Sequence, residues 1–201
     1  MFEEGFWQQA IIYGPVILFS LTVHEFFHAW IAYRFGDSTA ARMGRLTLNP
    51  LAHLDLFGTI VMVLSGFRFG WAKPVPVNPL NLRNPRVADL WISAAGPLSN
   101  LGLATLAGLT FRITSAPEVA QQIMVAMVVI NVTLAFFNLI PLFPLDGSHI
   151  LRNLLPSEME SSMDRFDQFA PFILMIVVVS GVFWKIIGPL VMSVVQTLLG
   201  L

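Results

Sequence analysis

The chain has 201 residues, the length of one domain, yet 56% of them are apolar and only 11% charged, against roughly 45–50% and about 25% in soluble globular domains. A mean hydropathy of +0.73, with seventeen Phe and five Trp against two Tyr, excludes an ordinary soluble domain and indicates an integral membrane protein. A net charge of −1 leaves no basic field for nucleic acid, and the lack of cysteine removes disulfides, iron–sulfur clusters and thiolate zinc sites.

The N-terminus, MFEEGFWQQ, is acidic and has no basic n-region, so the first apolar stretch is expected to remain in the mature protein. That stretch runs from about 7 to 33 and closes at Arg34, long enough for the ~20 residues that cross ~30 Å of hydrocarbon as helix. Further spans are expected at about 88–111, closing at Arg112, and at about 119–140, closing at Pro141 and Pro144. A fourth is expected from about 169 to 185, with Gly188-Pro189 kinking or breaking it before an apolar tail at 190–201.

Between the first two spans, 54–68 is apolar but short, which suits a re-entrant or interfacial segment. The proline-rich stretch after it, FGWAKPVPVNPLNLRNPR, has no helical period and alternates Val-Pro-Val-Asn like an extended strand or hairpin edge. Non-helical backbone at membrane depth needs protein or a wet cavity to satisfy it. So 54–80 is expected to lean on the helices near whatever site they enclose. The fold expected is an all-α integral membrane protein of four to five transmembrane helices with this re-entrant, β-hairpin-like segment. Four crossings put Arg34, Arg42, Arg45, Arg68, Lys73, Arg83, Arg86, Arg152 and Arg165 on one face, nine of the eleven basic residues. The positive-inside rule makes that face cytoplasmic.

The first span contains His24-Glu25-Phe26-Phe27-His28. Two histidines four apart share one helix face about one turn (~5.4 Å) apart, the spacing at which two nitrogens hold one zinc, while Glu25 between them can take a proton from an attacking water. Three ionisable groups in five intramembrane positions are costly unless they face a polar cavity or a metal. At 1.5 Å per residue from Arg34, His28 lies about 9 Å and His24 about 15 Å below the cytoplasmic helix end.

Catalytic zinc usually takes three protein ligands. Asp146 fits the third position best: it follows the third span directly, after Pro141 and Pro144 end the helix, and Gly147 permits a tight turn back. His53, Asp55 and His149 remain rivals, with capping of the re-entrant segment the bland role for the first two and an ordinary surface position for the third. Two asparagines in apolar helices need partners: Asn100 reads chiefly as helix–helix glue beside Ala95 and Gly96, and Asn138 as either glue or a donor to the oxyanion of a reacting carbonyl.

HEFFH (24–28), NLIPLFPLDG (138–147) and AAGPLSN (94–100), in that arrangement, resemble the site-2 protease family of intramembrane zinc metalloproteases. NPLAHLDLFGT (49–59) and FGWAKPVPVNP (69–79) are similar to its short bacterial branch. The resemblance covers most of 20–150. It implies one transmembrane metalloprotease domain over 1–201 with a three-helix catalytic core and one zinc held by His24, His28 and Asp146. It also implies Glu25 as general base and cleavage of a membrane-protein substrate in or near its transmembrane segment. The loop 112–118 is too short for a PDZ insertion, no room is expected for a CBS pair after the last helix, and Leu56 stands where relatives often have proline. The extended segment offers an edge along which an unwound substrate strand could add, an idea that proline at Val75 and Val77 would test. A transporter or ion relay built on the same cluster is the alternative, disfavoured because no inverted repeat is visible.

Overall fold

The computed structural model describes residues 4–66 and 70–201, and the side chains among them apart from those of 4–9 and 157. The elements in chain order are α1 (Glu4–Arg34), α2 (Thr39–Arg42), α3 (Leu56–Leu64), α4 (Pro85–Ile113), α5 (Glu118–Asn138), α6 (Asp146–Leu154), α7 (Glu160–Asp167), α8 (Ala170–Val179), α9 (Val182–Ile186) and α10 (Gly188–Leu199). Among the described residues three helices, Ala10–Arg34 within α1, α4 and α5, are long and apolar enough to cross a membrane. They correspond to the first three expected spans.

The fourth expected span is not one helix. Gly181 adopts φ 73°, a left-handed conformation that ends α8, and α9 and α10 follow as separate short helices. Pro189 sits in the first turn of α10, where its missing N–H costs nothing. α4 starts on Pro85 for the same reason, and its Pro97 lies fully buried in mid-helix.

Polar side chains are buried between the helices while large apolar ones lie outside. Ser20, Asn100 and Asn131 are fully buried, whereas Phe19, Trp30, Trp91, Leu98, Leu106 and Leu109 are exposed. In lipid a Leu gains nothing by turning inward, while an unpaired amide there costs several kcal/mol, so the helices associate through polar pairs and small residues. Ala29, Ala32, Ala88, Ala104, Ala126 and Ala135 are accordingly buried at the contacts. α4 is the central element, packed against α1, α5, α6 and α10. One core cluster joins Ala104 of α4, Val128 and Val132 of α5 and Val191, Val195 and Leu199 of α10, and a second joins Ala32, Leu82, Ala88 and Ile92.

Residues 67–69 of the expected hairpin-like segment lie outside the described residues, and the rest of 54–80 forms no hairpin. Its apolar half forms α3, a nine-residue helix capped by the Asp55 side chain, which accepts from Gly58 N. Its extended half, the strap of residues 70–78, forms no strand, and among the described residues the one β-type pairing is an isolated antiparallel bridge from Leu54 to Ala72. Prolines at 74 and 76 remove alternate N–H groups, so a two-sided ladder cannot build along the strap. It is instead fixed by single contacts. Lys73 N donates to His53 O at 2.8 Å, and Arg45 Nη2 donates to Lys73 O at 2.5 Å.

At the far end Asp37, 1% exposed, accepts from Asn78 N at 2.7 Å, Asn81 Nδ2 at 2.8 Å and Thr39 N at 3.0 Å. Burial pushes this carboxyl up, but the donors on Asn81, Thr39 and Asn78 outweigh it and hold it below the usual carboxylate range. A folded-state pKa below the unfolded one stabilises above about pH 4 and is lost only as pH falls through the folded value. The anchor therefore holds at neutral pH and releases in strong acid. Asp37→Ala is expected to raise hydrogen exchange at the Asn78 amide by about 10–100-fold, from the ~1.5–3 kcal/mol net value of hydrogen bonds to a charged group. Unchanged exchange at Asn78 would show that the strap is held by other contacts.

Candidate metal centre

His24 and His28 are both buried, at 5% and 7% exposure, on the face of α1 that meets α4. One turn of helix separates them, and their rings meet edge to face with centroids 4.5 Å apart. Each ring is oriented through its Nδ1. His28 Nδ1 lies 2.6 Å from the Ile92 carbonyl, which can only accept, so Nδ1 is the donor and Nε2, when the ring is neutral, carries a lone pair. His24 Nδ1 lies 2.7 Å from Asn100 Oδ1. That amide's orientation follows from its own partners. Asn131 Nδ2 donates to Ser20 Oγ and to the Met127 carbonyl, both at 2.8 Å, so Asn131 Oδ1 is the acceptor of Asn100 Nδ2, also at 2.8 Å. Asn100 thus presents its oxygen to His24, and His24 Nε2 is likewise a lone pair.

These two Nε2 atoms stand 2.9 Å apart. Asp146, the first residue of α6, brings its Oδ2 to 3.2 Å from His24 Nε2 and 3.4 Å from His28 Nε2. Oδ2 is buried and receives no hydrogen bond. Three possible ligand atoms therefore converge within 4.8 Å of one another. Such a set repels itself unless a proton or a metal cation lies among its members, and two imidazoles with a carboxylate are a usual donor set for catalytic zinc. By this test the residues fit a divalent metal ion.

Two glycines make the approach possible. A Cβ on Gly96 of α4 would lie 2.4 Å from His28 Nε2 and 2.6 Å from His24 Nε2, so any side chain there would occupy the space between the rings. A Cβ on Gly147 would lie 2.4 Å from the carbonyl oxygens of Leu139 and Ile140, so the glycine lets α6 start directly against the end of α5. The AAGP stretch thus serves the two imidazoles as well as the packing of helices.

Glu25 is bonded to the strap, its Oε2 accepting from Val75 N at 2.9 Å. Asn138 turns back on its own helix, Nδ2 donating to the Leu134 carbonyl at 3.0 Å. The rivals for the third position are engaged elsewhere. His53 Nε2 bonds the Thr47 carbonyl at 2.8 Å, Asp55 caps α3, and His149 pairs with Asp89 at 3.4 Å. Among the described residues, His24, His28 and Asp146 form the group able to hold a metal.

Ser20 and Asn131 carry no local signal for this role, and Asn100, which reads chiefly as glue, has a second one: together they form the chain that sets the His24 ring. An asparagine at 131 amid apolar α5 residues signals only that its amide needs a partner.

Comparison with known proteins bears on this site. The family model for peptidase family M50 matches residues 111–181. The chain is 37% identical over 183 residues to "Putative zinc metalloprotease YwhC" of Bacillus subtilis, covering 87% of this chain and 83% of that one. It is 32% identical over 171 residues to "Putative zinc metalloprotease Rip2" of Mycolicibacterium smegmatis, covering 81% and 64%. With "Zinc metalloprotease MJ0392" of Methanocaldococcus jannaschii it shares 24% identity over 141 residues, 70% of this chain and 33% of the relative. No solved structure matches the chain.

Proposed function

The chain belongs to peptidase family M50, the intramembrane zinc proteases of the site-2 type, and on that premise we propose which of its residues carry the reaction. His24, His28 and Asp146 hold one zinc ion per chain, and Glu25, in the HExxH pattern, is the general base. The observation that carries this is the convergence of His24 Nε2, His28 Nε2 and Asp146 Oδ2, the last of them buried without a hydrogen-bond partner. Zinc bound there supplies Lewis acidity toward a scissile carbonyl and toward water.

The chain's own groups do the rest. Glu25 accepts the proton of the attacking water and returns it to the departing amine. Its anchor on Val75 N places the carboxylate at the strap, the side from which an unwound substrate reaches it. Asn138 has one amide hydrogen engaged with Leu134 and a second available for the charge that develops on the scissile oxygen. The substrate is a membrane protein cleaved in or near its transmembrane segment, after local unwinding exposes the backbone. The enzyme is multi-pass in the cell membrane, with its site toward the cytoplasmic face, where the basic loops gather.

The strap's part in binding is narrower than strand addition. The Lys73 and Val75 amides are engaged with His53 and Glu25, and 74 and 76 are prolines. Its free edge therefore offers carbonyl acceptors and takes substrate N–H groups while leaving substrate carbonyls to the site. Proline at Val75 accordingly acts first on the base.

The test is cleavage of a transmembrane reporter by the purified protein in liposomes. Chelation is expected to abolish cleavage and stoichiometric zinc to restore it; cleavage that survives complete zinc removal would refute the assignment.

A further inference from the structure

α6 carries Asp146 to the imidazoles, yet Oδ2 itself receives no hydrogen bond, so the carboxylate's position follows from that of the helix. Gly147 holds the α6 N-terminus against the end of α5. Further restraints lie about two turns along: Arg152 bonds Asp164 at 2.7 Å and Asp167 at 2.6 Å on α7, and a second set comes from α4. Asp89 Oδ2 accepts from Asn153 Nδ2 at 2.6 Å and stands 3.4 Å from His149 Nδ1. Arg86, one turn earlier on α4, donates from Nε to the Asn153 carbonyl at 3.1 Å and from Nη2 to the Leu155 carbonyl, covering carbonyls at the end of α6. The same α4 supplies the Ile92 carbonyl, Gly96 and Asn100 to the histidines. One helix is therefore the template for all three candidate ligands, two through their rings and the third through the helix that bears it.

The lever is long enough to matter. Asn153 lies seven residues beyond Asp146, about 10.5 Å along the helix axis. A tilt of only about 3° about the far end moves Asp146 by roughly 0.5 Å, the tolerance within which a metal constellation must be held. From this geometry we propose that Asp89 is a positioning residue for Asp146: by gripping Asn153 it sets the angle of α6 and so the distance of the carboxylate from His24 and His28. The proposal rests on the reading that these three residues hold zinc.

The test is zinc affinity of the full-length protein, by chelator competition, for wild type, Asp89→Ala, Asn153→Ala, the double variant and Asp89→Asn. Affinity is expected to fall about tenfold in each alanine variant, the range found for groups that orient metal ligands. The double variant should be no weaker than Asp89→Ala, because the Asp89–Asn153 contact is already absent in that single variant. Asp89→Asn keeps an acceptor oxygen and is expected within about threefold of wild type. Wild-type affinity in both alanine variants, additive losses in the double variant, or a loss in Asp89→Asn equal to that in Asp89→Ala would each overturn the proposal. Asn153→Ala leaves α4 untouched and carries the test alone if Asp89→Ala does not fold. A wild-type protein that binds no zinc refutes the reading of the site, whereas wild-type zinc binding with indifferent Asp89 variants refutes this inference alone.

Discussion

Glu25→Gln keeps zinc at the wild-type stoichiometry and loses cleavage of a transmembrane reporter by about 10²–10⁴-fold, the contribution of a positioned general base. The reason is geometric. Glu25 is separated from the three-donor group and bonded to the Val75 amide, so its replacement removes no lone pair from the group. A glutamine carbonyl still accepts from that amide, which leaves the strap attached, but it cannot take up a proton at neutral pH. Zinc content by atomic absorption and turnover of the reporter, on the same preparation, check both halves. Full turnover would remove Glu25 from the chemistry, and loss of zinc would make it a ligand.

Asp146→Ala is expected to lose both metal and turnover. Without the carboxylate, two imidazole Nε2 atoms 2.9 Å apart remain, one protein ligand short of the three that catalytic zinc usually takes. The substitution stays within the helical preferences of the first turn of α6 and removes no hydrogen bond from Oδ2, so the fold is expected to survive. Melting temperature and zinc stoichiometry separate the two effects. A folded variant with a full complement of zinc would exclude Asp146 from the donor set and return attention to His53 or Asp55.

Different parts of this arrangement were legible in the sequence to different degrees, for physical reasons. His24 and His28 are four apart in an apolar run, and helical periodicity alone puts them on one face. Asp146 could be singled out because prolines at 141 and 144 stop the preceding helix and a glycine follows it. The three long helices were legible from hydropathy, with α4 and α5 within about three residues of their observed ends. The break at Gly181 was not, because 169–185 is apolar on both sides of it and a left-handed glycine leaves no trace in composition. The strap's prolines announced extended backbone, but not that the Val75 amide ends on Glu25, fifty residues away. The chain from Ser20 through Asn131 and Asn100 to His24 joins three helices, and pairing across helices has no local signature.

The central claim is that one zinc ion lies among His24, His28 and Asp146. Anomalous scattering recorded on either side of the zinc absorption edge, from crystals of the purified wild-type protein, tests it most directly. A single peak per chain between the two Nε2 atoms and the Asp146 carboxylate is the predicted result, and a map with no peak there, or with its zinc at His53, His149 or Asp89, would contradict it.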